Sequence, residues 1–470
     1  MSQNQNSPIL TKLKNIKDSH HPYPFSSMDW IWSQRFHLLS FSLLTFLIAL
    51  SDAQKQKPFR PHSFILPITK DAPTLQYVTQ IRQRTPFVTV DLVVDLGGQF
   101  LWVDCESAYF SSSYHPVPCN SSQCSATGAN GCGQCLLPAS PGCSNNTCVL
   151  FPGNTVTKTT TSGELTEDMI AVRSTDGSSP ATRIVSVPRF LFTCSARFLL
   201  ERLAGGVKGM AGLGRGPIGM PSQLAAAFSF PRKFAVCLPS SANVTGVIFF
   251  GDVPHNLLPE VEVSRILSYT PLITNPVSAA STFTKGEPSV EYFIGVKSIE
   301  INKKPVLLNS DLLSIDGEGV GGTKISTVVP YTTLETSIYN SVTGAFMEEA
   351  ISMGITRVGA VAPFGACFSS ESIRGSRMGA EVPSIDLVLQ GQSVWRIFGK
   401  NAMVDVREGV LCLGFLDGGR NPRTSIVLGG HQLEDILLQF DLKTSKLGFS
   451  PLLHYRQTSC ANFIFTTTAS

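Results

Sequence analysis

Twelve cysteines constrain the fold of this chain more than any other residue type. Seven of them fall between positions 105 and 148, in a segment that is also rich in Gly, Ser, Asn and Pro. In an exported chain an even cysteine count predicts a disulfide framework, here of up to six bonds from the twelve residues. The cysteines are Cys105, Cys119, Cys124, Cys132, Cys135, Cys143, Cys148, Cys194, Cys237, Cys367, Cys412 and Cys460.

An N-terminal apolar segment indicates export. The run over residues 38–50 follows Arg35, has the length of a signal-peptide core and is too short for a comfortable membrane span. Small residues fit a cleavage site after Ala53. Residues 1–27 are polar and lie upstream of the usual start of such a signal, so Met28 is an alternative start. We expect the mature chain to be secreted and extracellular, with no membrane partner.

Composition excludes some classes of partner. Charged residues make up 15% of the chain and apolar residues 43%, which is typical of a folded protein. The net charge is only +3 and no lysine- or arginine-rich block occurs, so a nucleic-acid partner has no support. Cys132 and Cys135 resemble half of a zinc site, but no second pair with histidine spacing follows. We therefore expect disulfides here, no metal, no cofactor and a monomeric protein.

Three sequons mark candidate glycan sites in a secreted chain. Their acceptor residues are Asn120, Asn145 and Asn243.

Short apolar or alternating runs separated by turn residues predict an all-β protein with a few short helices. The clearest predicted strands are 87–94, 100–103, 234–238, 247–250, 292–296 and 426–428. The best helical pattern covers Leu334–Met353, where apolar residues recur every fourth position and Gly354 can end the helix. Thr332 and Glu335 have the spacing of a capping box at its start.

A weak internal repeat predicts two similar β-lobes. A turn-bearing strand at 91–104 is followed by the glycine-rich strand 208–214, and a second turn-bearing strand at 321–329 is followed by 425–430. The chain is also too long for one ordinary core and suits about two to three domains. We predict an N-terminal extension and signal at 1–53, an N-terminal β-lobe at 54–255 with a cysteine-rich insert at 105–148, and a C-terminal β-lobe at 256–470.

The stretch V-D-L-G-G-Q-F-L-W-V-D-C at 94–105 resembles the strand–turn–strand that carries a catalytic carboxylate in pepsin-like aspartic proteases. Asp95 stands at the position of that carboxylate. This stretch, the strand at 208–214 and the segment 429–449 near the C-terminus together resemble the plant form of the pepsin fold. The resemblance covers about residues 58–470, and it implies a bilobal, all-β architecture.

Three further stretches resemble a narrower group, the plant extracellular dermal glycoproteins and basic 7S globulins. The group includes xyloglucanase-inhibitor and xylanase-inhibitor proteins. The stretches are 364–367, 382–388 and 424–435.

The catalytic pair of an aspartic protease is incomplete in this sequence. Such enzymes need two carboxylates that share a proton, so that one acts as base and the other as acid. The family motif places the second aspartate at the position occupied here by Ser326, in G-G-T-K-I-S. A serine hydroxyl has no accessible acid–base state near neutral pH, so we expect no proteolysis.

Two further changes support that expectation. Leu96 and Gly98 replace hydroxyl residues that normally brace the carboxylates, and no flap tyrosine precedes the segment 163–165. We expect no catalytic residues, with Asp95 and Ser326 as vestiges and Asp95 as a buried turn residue that is hydrogen-bonded to the backbone.

What the resemblance implies instead is inhibition of a microbial xyloglucan-specific endo-β-1,4-glucanase of glycoside hydrolase family 12. Arginines on two loops would enter the target and lie between its catalytic carboxylates. By position in the group, the predicted contact residues are Arg377 with Arg374 on one loop, and Arg456 on the other. Both loops lie near two expected disulfides, Cys367–Cys412 and Cys237–Cys460, and the remaining pairings stay open.

Two alternatives from the same resemblance remain. Xylanase inhibitors of the group use a histidine near the C-terminal loop, which makes His454 a candidate contact residue. The likeness to 7S globulins also allows a storage or peptide-binding function. An active aspartic protease is the least favoured alternative.

Overall fold

The turns at Asp95 and Ser326 follow two equivalent strand arrangements. Val88–Asp95 runs parallel to Gly209–Gly212, with Asp95 opposite Gly212. In the second half Thr323–Ile325, which ends just before Ser326, runs parallel to Ile426–Leu428. Both halves therefore pair a turn-bearing strand with an apolar, glycine-flanked strand, as the sequence repeat predicts.

This computed structural model describes residues 61–129, 131–176, 183–278 and 287–465. The predicted signal segment and its cleavage site lie outside these residues. From Pro61 onward the chain packs as one compact unit, and the lobe boundary at residue 255 stays a prediction.

Strands dominate both halves, which confirms the all-β fold class. In Tyr77–Gln83, for example, buried and more exposed side chains alternate along most of the strand. The strands of the first half are Ser63–Lys70, Tyr77–Gln83, Val88–Asp95, Trp102–Asp104, His115–Pro116, Gly131–Gly133, Thr147–Leu150, Gly153–Asn154, Thr159–Thr160, Gly163–Ser174, Arg183–Ser195, Gly209–Gly212, Lys233–Cys237 and Thr245–Gly251.

The second half is built in the same way from shorter strands. They are Asn256–Leu257, Val261–Glu262, Ser268–Ile273, Phe293–Ile294, Val296–Ile301, Lys304–Pro305, Thr323–Ile325, Thr332–Leu334, Arg357–Val358, Cys367–Ser369, Gly375–Ser376, Gly379–Ala380, Ile385–Leu389, Val394–Ile397, Met403–Arg407, Val410–Leu413, Phe415–Asp417, Ile426–Leu428, Leu437–Asp441 and Lys446–Phe449.

Helices are few and short in the described chain. The α-helices are Ser122–Ala126, Met220–Phe228, Thr336–Ser352, Gly399–Ala402 and Gly430–Leu433. Single 3₁₀ turns occur at Arg197–Leu200, Val263–Ile266, Ser310–Leu313, Ser370–Ser372, Leu453–Arg456 and Cys460–Asn462.

The predicted start of the longest helix is wrong. The helix begins at Thr336, and Glu335 caps it by accepting hydrogen bonds from the backbone of Ser337 and Ile338. Thr332 belongs to the strand Thr332–Leu334, and its hydroxyl donates to the Gln432 side chain at 2.7 Å. Strand pairing thus overrides the helical period in these three residues. The predicted stop is correct, because Gly354 follows the helix with a φ of +79°.

The first and second halves are joined by antiparallel pairing of Lys233–Cys237 with Leu437–Asp441. We call this pair of strands the seam. One side of the seam packs the rings of Phe234 and Phe440, which stack with centroids 4.7 Å apart. The same rings belong to the largest buried apolar cluster of the described residues.

Six disulfides use all twelve cysteines. Two of them, Cys237–Cys460 and Cys367–Cys412, agree with the sequence expectation. The others are Cys105–Cys194, Cys119–Cys132, Cys124–Cys148 and Cys135–Cys143. Cys237–Cys460 connects the seam to the C-terminal end of the described chain.

The length of the loop that each disulfide closes predicts unequal contributions of these bonds to the free energy of unfolding. Cys237–Cys460 spans 223 residues and Cys135–Cys143 spans 8. In the chain-entropy model, replacing the first pair by serine lowers the free energy of unfolding by about 5 kcal/mol, against about 2.5 kcal/mol for the second. Denaturant unfolding of the two double variants measures the difference. An equal loss in both variants would contradict the loop-entropy explanation.

Candidate functional site

Asp95 ends its strand in a buried turn. Its residue is only 3% exposed, and its carboxylate accepts a hydrogen bond from the backbone N–H of Gly97 at 2.8 Å. The hydroxyl of Thr155 donates to the other carboxylate oxygen at 2.9 Å. Burial raises the pKa of Asp95, and these two hydrogen bonds oppose that effect. The geometry fits the buried, backbone-bonded aspartate that the sequence predicts.

Thr155 belongs to the segment where an active enzyme would carry its flap tyrosine. It lies in the turn between Gly153–Asn154 and Thr159–Thr160. The indole N–H of Trp102 donates to the Gly153 carbonyl at 3.0 Å, which fixes the base of this turn. The turn is thus held with its threonine against Asp95. Sequence reasoning noted the missing tyrosine but not the hydroxyl that takes its place beside the carboxylate.

The hydrogen bonds of the Ser326 side chain are local. Its hydroxyl oxygen accepts from the backbone N–H groups of Val328 and Val329, at 3.2 and 3.4 Å. The next residue, Thr327, reaches across to the first half of the chain. Its hydroxyl donates to the Val94 carbonyl at 2.7 Å and accepts from the Leu96 N–H at 3.2 Å. This segment therefore braces the two halves against each other.

A second carboxylate, that of Glu291, lies close to the Asp95 turn. A side chain at Gly97 would come within 3.2 Å of Glu291, and the charge of Glu291 contributes to the raised pKa of Asp95. Glu291 is itself paired with Lys324, with 2.7 Å between Nζ and Oε1. The Glu291 carboxylate is therefore already neutralised by an ion pair with Lys324.

Arg374 and Arg377 lie on an exposed hairpin formed by Gly375–Ser376 and Gly379–Ala380. The N–H of Glu381 donates to the Arg374 carbonyl at 2.8 Å and closes the hairpin. In the described part of the chain, neither arginine forms an ion pair. Both guanidinium groups are therefore free to meet an external carboxylate.

Arg456 lies at the end of the 3₁₀ turn Leu453–Arg456, and its side chain is exposed. We call residues 453–460 the C-terminal loop. The backbone of Leu453 donates to the Asp435 carbonyl at 2.9 Å, and the backbone of Cys460 donates to the Asp435 carboxylate at 3.0 Å. With the Cys237–Cys460 disulfide, these contacts hold both ends of the loop.

His454 faces the interior in part. Its Nδ1 lies 3.7 Å from the Asp435 carboxylate, too far for a hydrogen bond. Both of these atoms are buried, and neither has a hydrogen-bond partner among the described residues. Burial lowers the pKa of His454; the charge of Asp435 opposes this shift and that of Lys400 adds to it.

Lys400 connects the hairpin to the C-terminal loop. Its backbone N–H donates to the Met378 carbonyl in the hairpin at 2.8 Å, while its charge acts on His454. Lys400 thus contacts the hairpin and acts on His454 of the C-terminal loop, and the sequence analysis missed it. No local motif marks Lys400, because its position depends on packing between distant segments.

The three sequon asparagines, Asn120, Asn145 and Asn243, are all exposed. Their glycosylation remains a prediction. Within the described ranges, no cluster of His, Cys, Asp and Glu side chains could hold a metal ion. Of the helices that the structure describes, none is long and apolar enough to span a membrane.

Both halves of the chain match models of known protein families. Residues 77–252 match the model described as xylanase inhibitor N-terminal, and residues 291–451 match xylanase inhibitor C-terminal.

Individual relatives and solved structures agree with this assignment. The chain is 62% identical over 425 residues to a Nicotiana benthamiana protein named probable aspartic proteinase GIP2, covering 90% of this chain and 96% of that one. It is 38% identical over 436 residues to basic 7S globulin of Glycine max, covering 91% and 97%. The crystal structure of edgp superimposes with a TM-score of 0.86 at 59% identity, covering 88% of this chain and 100% of that one. The chain therefore belongs to the plant extracellular dermal glycoprotein and basic 7S globulin group, which has the pepsin-like aspartic protease fold.

Proposed function

We propose that this protein is a secreted inhibitor of microbial xyloglucan-specific endo-β-1,4-glucanases of glycoside hydrolase family 12, without proteolytic activity of its own. The observation that carries the proposal is the exposure of Arg377 and Arg456 on two anchored segments beside Lys400. Glycoside hydrolases work with two carboxyl groups that flank the scissile bond. An arginine stays charged and can bond a carboxylate through two parallel N–H groups, so it can occupy that space and exclude the substrate.

The anchoring of both segments favours tight binding. A flexible loop loses conformational freedom when it binds, which subtracts from affinity. Here the C-terminal loop is tied down at Leu453 and Cys460, and the hairpin is held by the Lys400 backbone. Because neither Arg377 nor Arg456 has an ion pair with a described residue, no internal pair has to break when the target binds. Nearby Arg374 and Lys400 add positive charge, which speeds encounter with an acidic cleft.

The location fits a role in plant defence. An N-terminal signal-like segment and six disulfides support export to an oxidising space. In a plant that space is the apoplast and cell wall, where microbial enzymes attack xyloglucan.

A xylanase is the second candidate target, because both matching family models are named for xylanase inhibitors. The candidate contact residue for that target is His454. Its inward-facing Nδ1 and half-buried ring favour the exposed arginines as the primary contact groups. A storage or peptide-binding function is the third alternative, and one relative is named basic 7S globulin. Seed abundance without hydrolase inhibition would favour it.

Proteolysis is the enzymatic alternative, since a relative carries the name aspartic proteinase. Three observations oppose it. Ser326 cannot share a proton, the Asp95 carboxylate is bonded to Gly97 and Thr155, and Glu291 is paired with Lys324.

The arginine pair gives the most direct test. In an assay of xyloglucan hydrolysis by fungal family-12 endoglucanases, the purified protein is expected to inhibit, and the double variant Arg377→Ala/Arg456→Ala to raise the inhibition constant by about 100-fold or more. The matched control is Arg82→Ala/Arg202→Ala, which removes two exposed arginines of the first half. No inhibition across the enzyme panel, or equal inhibition by the double variant and the wild type, would refute the proposal.

The histidine separates the two candidate targets. His454→Ala is expected to leave inhibition of the xyloglucanase within about threefold, because the ring packs toward Asp435 rather than outward. The same variant is measured against a panel of xylanases. If His454→Ala loses xylanase inhibition and Arg377→Ala/Arg456→Ala keeps it, the xylanase becomes the favoured target.

The buried carboxylate of Asp95 gives stability a predictable dependence on pH. Because burial raises the pKa of Asp95 in the folded protein, its contribution to stability is complete below the ordinary value of 3.8 and is lost as the pH rises through the raised pKa. Asp95→Asn removes the charge, and its amide can still accept from Gly97 and donate to Thr155. The variant is therefore expected to melt on the order of 1–3 °C higher at neutral pH, with the gap closing in acid.

Thermal unfolding from acid to neutral pH measures this difference, and Asp405→Asn, at an exposed aspartate, is the control. A lower melting temperature for Asp95→Asn at neutral pH would contradict the stability argument. Acid-pH cleavage of casein that is present in the wild type and absent in Asp95→Asn would restore the protease alternative.

A further inference from the structure

A pocket of about 320 Å³ opens on the outer face of the seam and its neighbouring strands. This is within the range of small-ligand sites, which begin at about 300 Å³. It shares no lining residue with the hairpin or the C-terminal loop. The lining residues are Lys233, Tyr269, Gln439, Asp441, Thr444 and Lys446.

Strand register explains why these side chains meet. Asp441 is opposite Lys233 on one side and Lys446 on the other, so the three form a row across the sheet. In the next row on the same face, Gly448 lies between Gln439 and Tyr269. Side chains at paired positions point to the same face of a sheet.

Tyr269 forms a flat wall of this pocket. A side-chain carbon at Gly448 would lie 2.9 Å from the edge of the tyrosine ring, so the glycine is what allows the ring to lie across the strand. The tyrosine remains 48% exposed. The result is an aromatic surface held against the sheet and open to solvent.

Gln439 supplies an unsatisfied polar group at the same place. The residue is only 5% exposed, and its Oε1 has no hydrogen-bond partner among the described residues. A buried amide oxygen without a donor is unfavourable, and a ligand hydroxyl would satisfy it.

The charges around the pocket balance. Lys233 is paired with Asp252 at 2.8 Å, and the Asp441 carboxylate accepts the N–H groups of Lys443 and Thr444 at 3.0 Å. The two lining lysines are thus matched by two nearby carboxylates. A ligand with many hydroxyls and no net charge fits this surface better than a phosphate or a uronate.

We propose that this pocket binds a neutral oligosaccharide, with the C–H face of one pyranose ring on Tyr269 and its hydroxyls bonded to Gln439 and the surrounding Lys446 and Thr444 side chains. Aromatic rings bury apolar surface of this kind while the polar groups beside them fix orientation. The site shares no residue with the proposed hydrolase contact, so either proposal can fail without the other.

Saturation-transfer NMR and calorimetric titration test the site on the full secreted protein in the absence of any hydrolase. The probes are cellotetraose, xylotetraose and mannotriose as neutral sugars from different sources, and tetragalacturonate as the charged comparison. At least one neutral probe is expected to bind, with saturation transfer strongest on the ring that contacts Tyr269. Tyr269→Leu, which keeps Gly448 covered without an aromatic face, is expected to weaken binding about tenfold, and Tyr269→Trp to retain it.

Phe110→Ala is the matched control, since it removes an aromatic ring that is 78% exposed elsewhere in the chain. The melting temperature is measured for each variant to confirm that it is folded. The proposal is overturned if no neutral probe binds at millimolar concentration, if tetragalacturonate binds more tightly than all of them, or if Tyr269→Leu and Phe110→Ala behave alike.

Discussion

The pairing of Lys233–Cys237 with Leu437–Asp441 is the contact on which the rest of the molecule depends. It joins strands that are about two hundred residues apart, so its formation closes a long loop and carries the entropy cost of that closure. On its inner side, stacked aromatic rings lead to Tyr292, whose hydroxyl donates at 2.7 Å to the carbonyl of Leu213, just beyond the strand that pairs with Asp95. At its end, Cys237 holds the C-terminal loop. The turn at Asp95 and the loop that carries Arg456 are thus both positioned from one seam.

The surroundings of Asp95 show which interactions hold this turn in place. Two carboxylates at close range would split their pKa values, which is the purpose of a catalytic pair. A single buried carboxylate only adds a desolvation penalty, and the N–H of Gly97 and the hydroxyl of Thr155 offset part of it. Leu96, which is fully buried, fills space that a hydroxyl residue would otherwise occupy. Thr327 reaches across to the opposite strand. The remaining interactions are those that stabilise the scaffold.

The local sequence pattern was enough to predict some strands, even where their pairing partner is distant in the chain. Ile426–Leu428 has the predicted bounds, because an apolar run between turn residues has few other ways to pair. The helix start failed at Thr332, where pairing with Phe415–Asp417 outweighs a helical period. Contacts made by long-range packing could not be predicted from the sequence either. Thr155 and Lys400 take their positions from contacts with segments that are distant in the chain. Four of the six pairings, including every one among the crowded cysteines of residues 105–148, also required the fold, since spacing alone leaves many connectivities open.

On the proposed function, the placement of the arginines matters more than their charge. Exposed arginines are common on any surface, and a free one contributes little by itself. Here Gly379, at a φ of +90°, and Gly399 let the hairpin backbone approach the Lys400 segment more closely than any side chain would allow. That contact fixes the position of the hairpin and therefore the position of the Arg377 backbone in its turn. A guanidinium that is already in place loses little freedom when it enters a cleft, so the backbone contact, and not an additional charge, would determine which hydrolase the protein can fit.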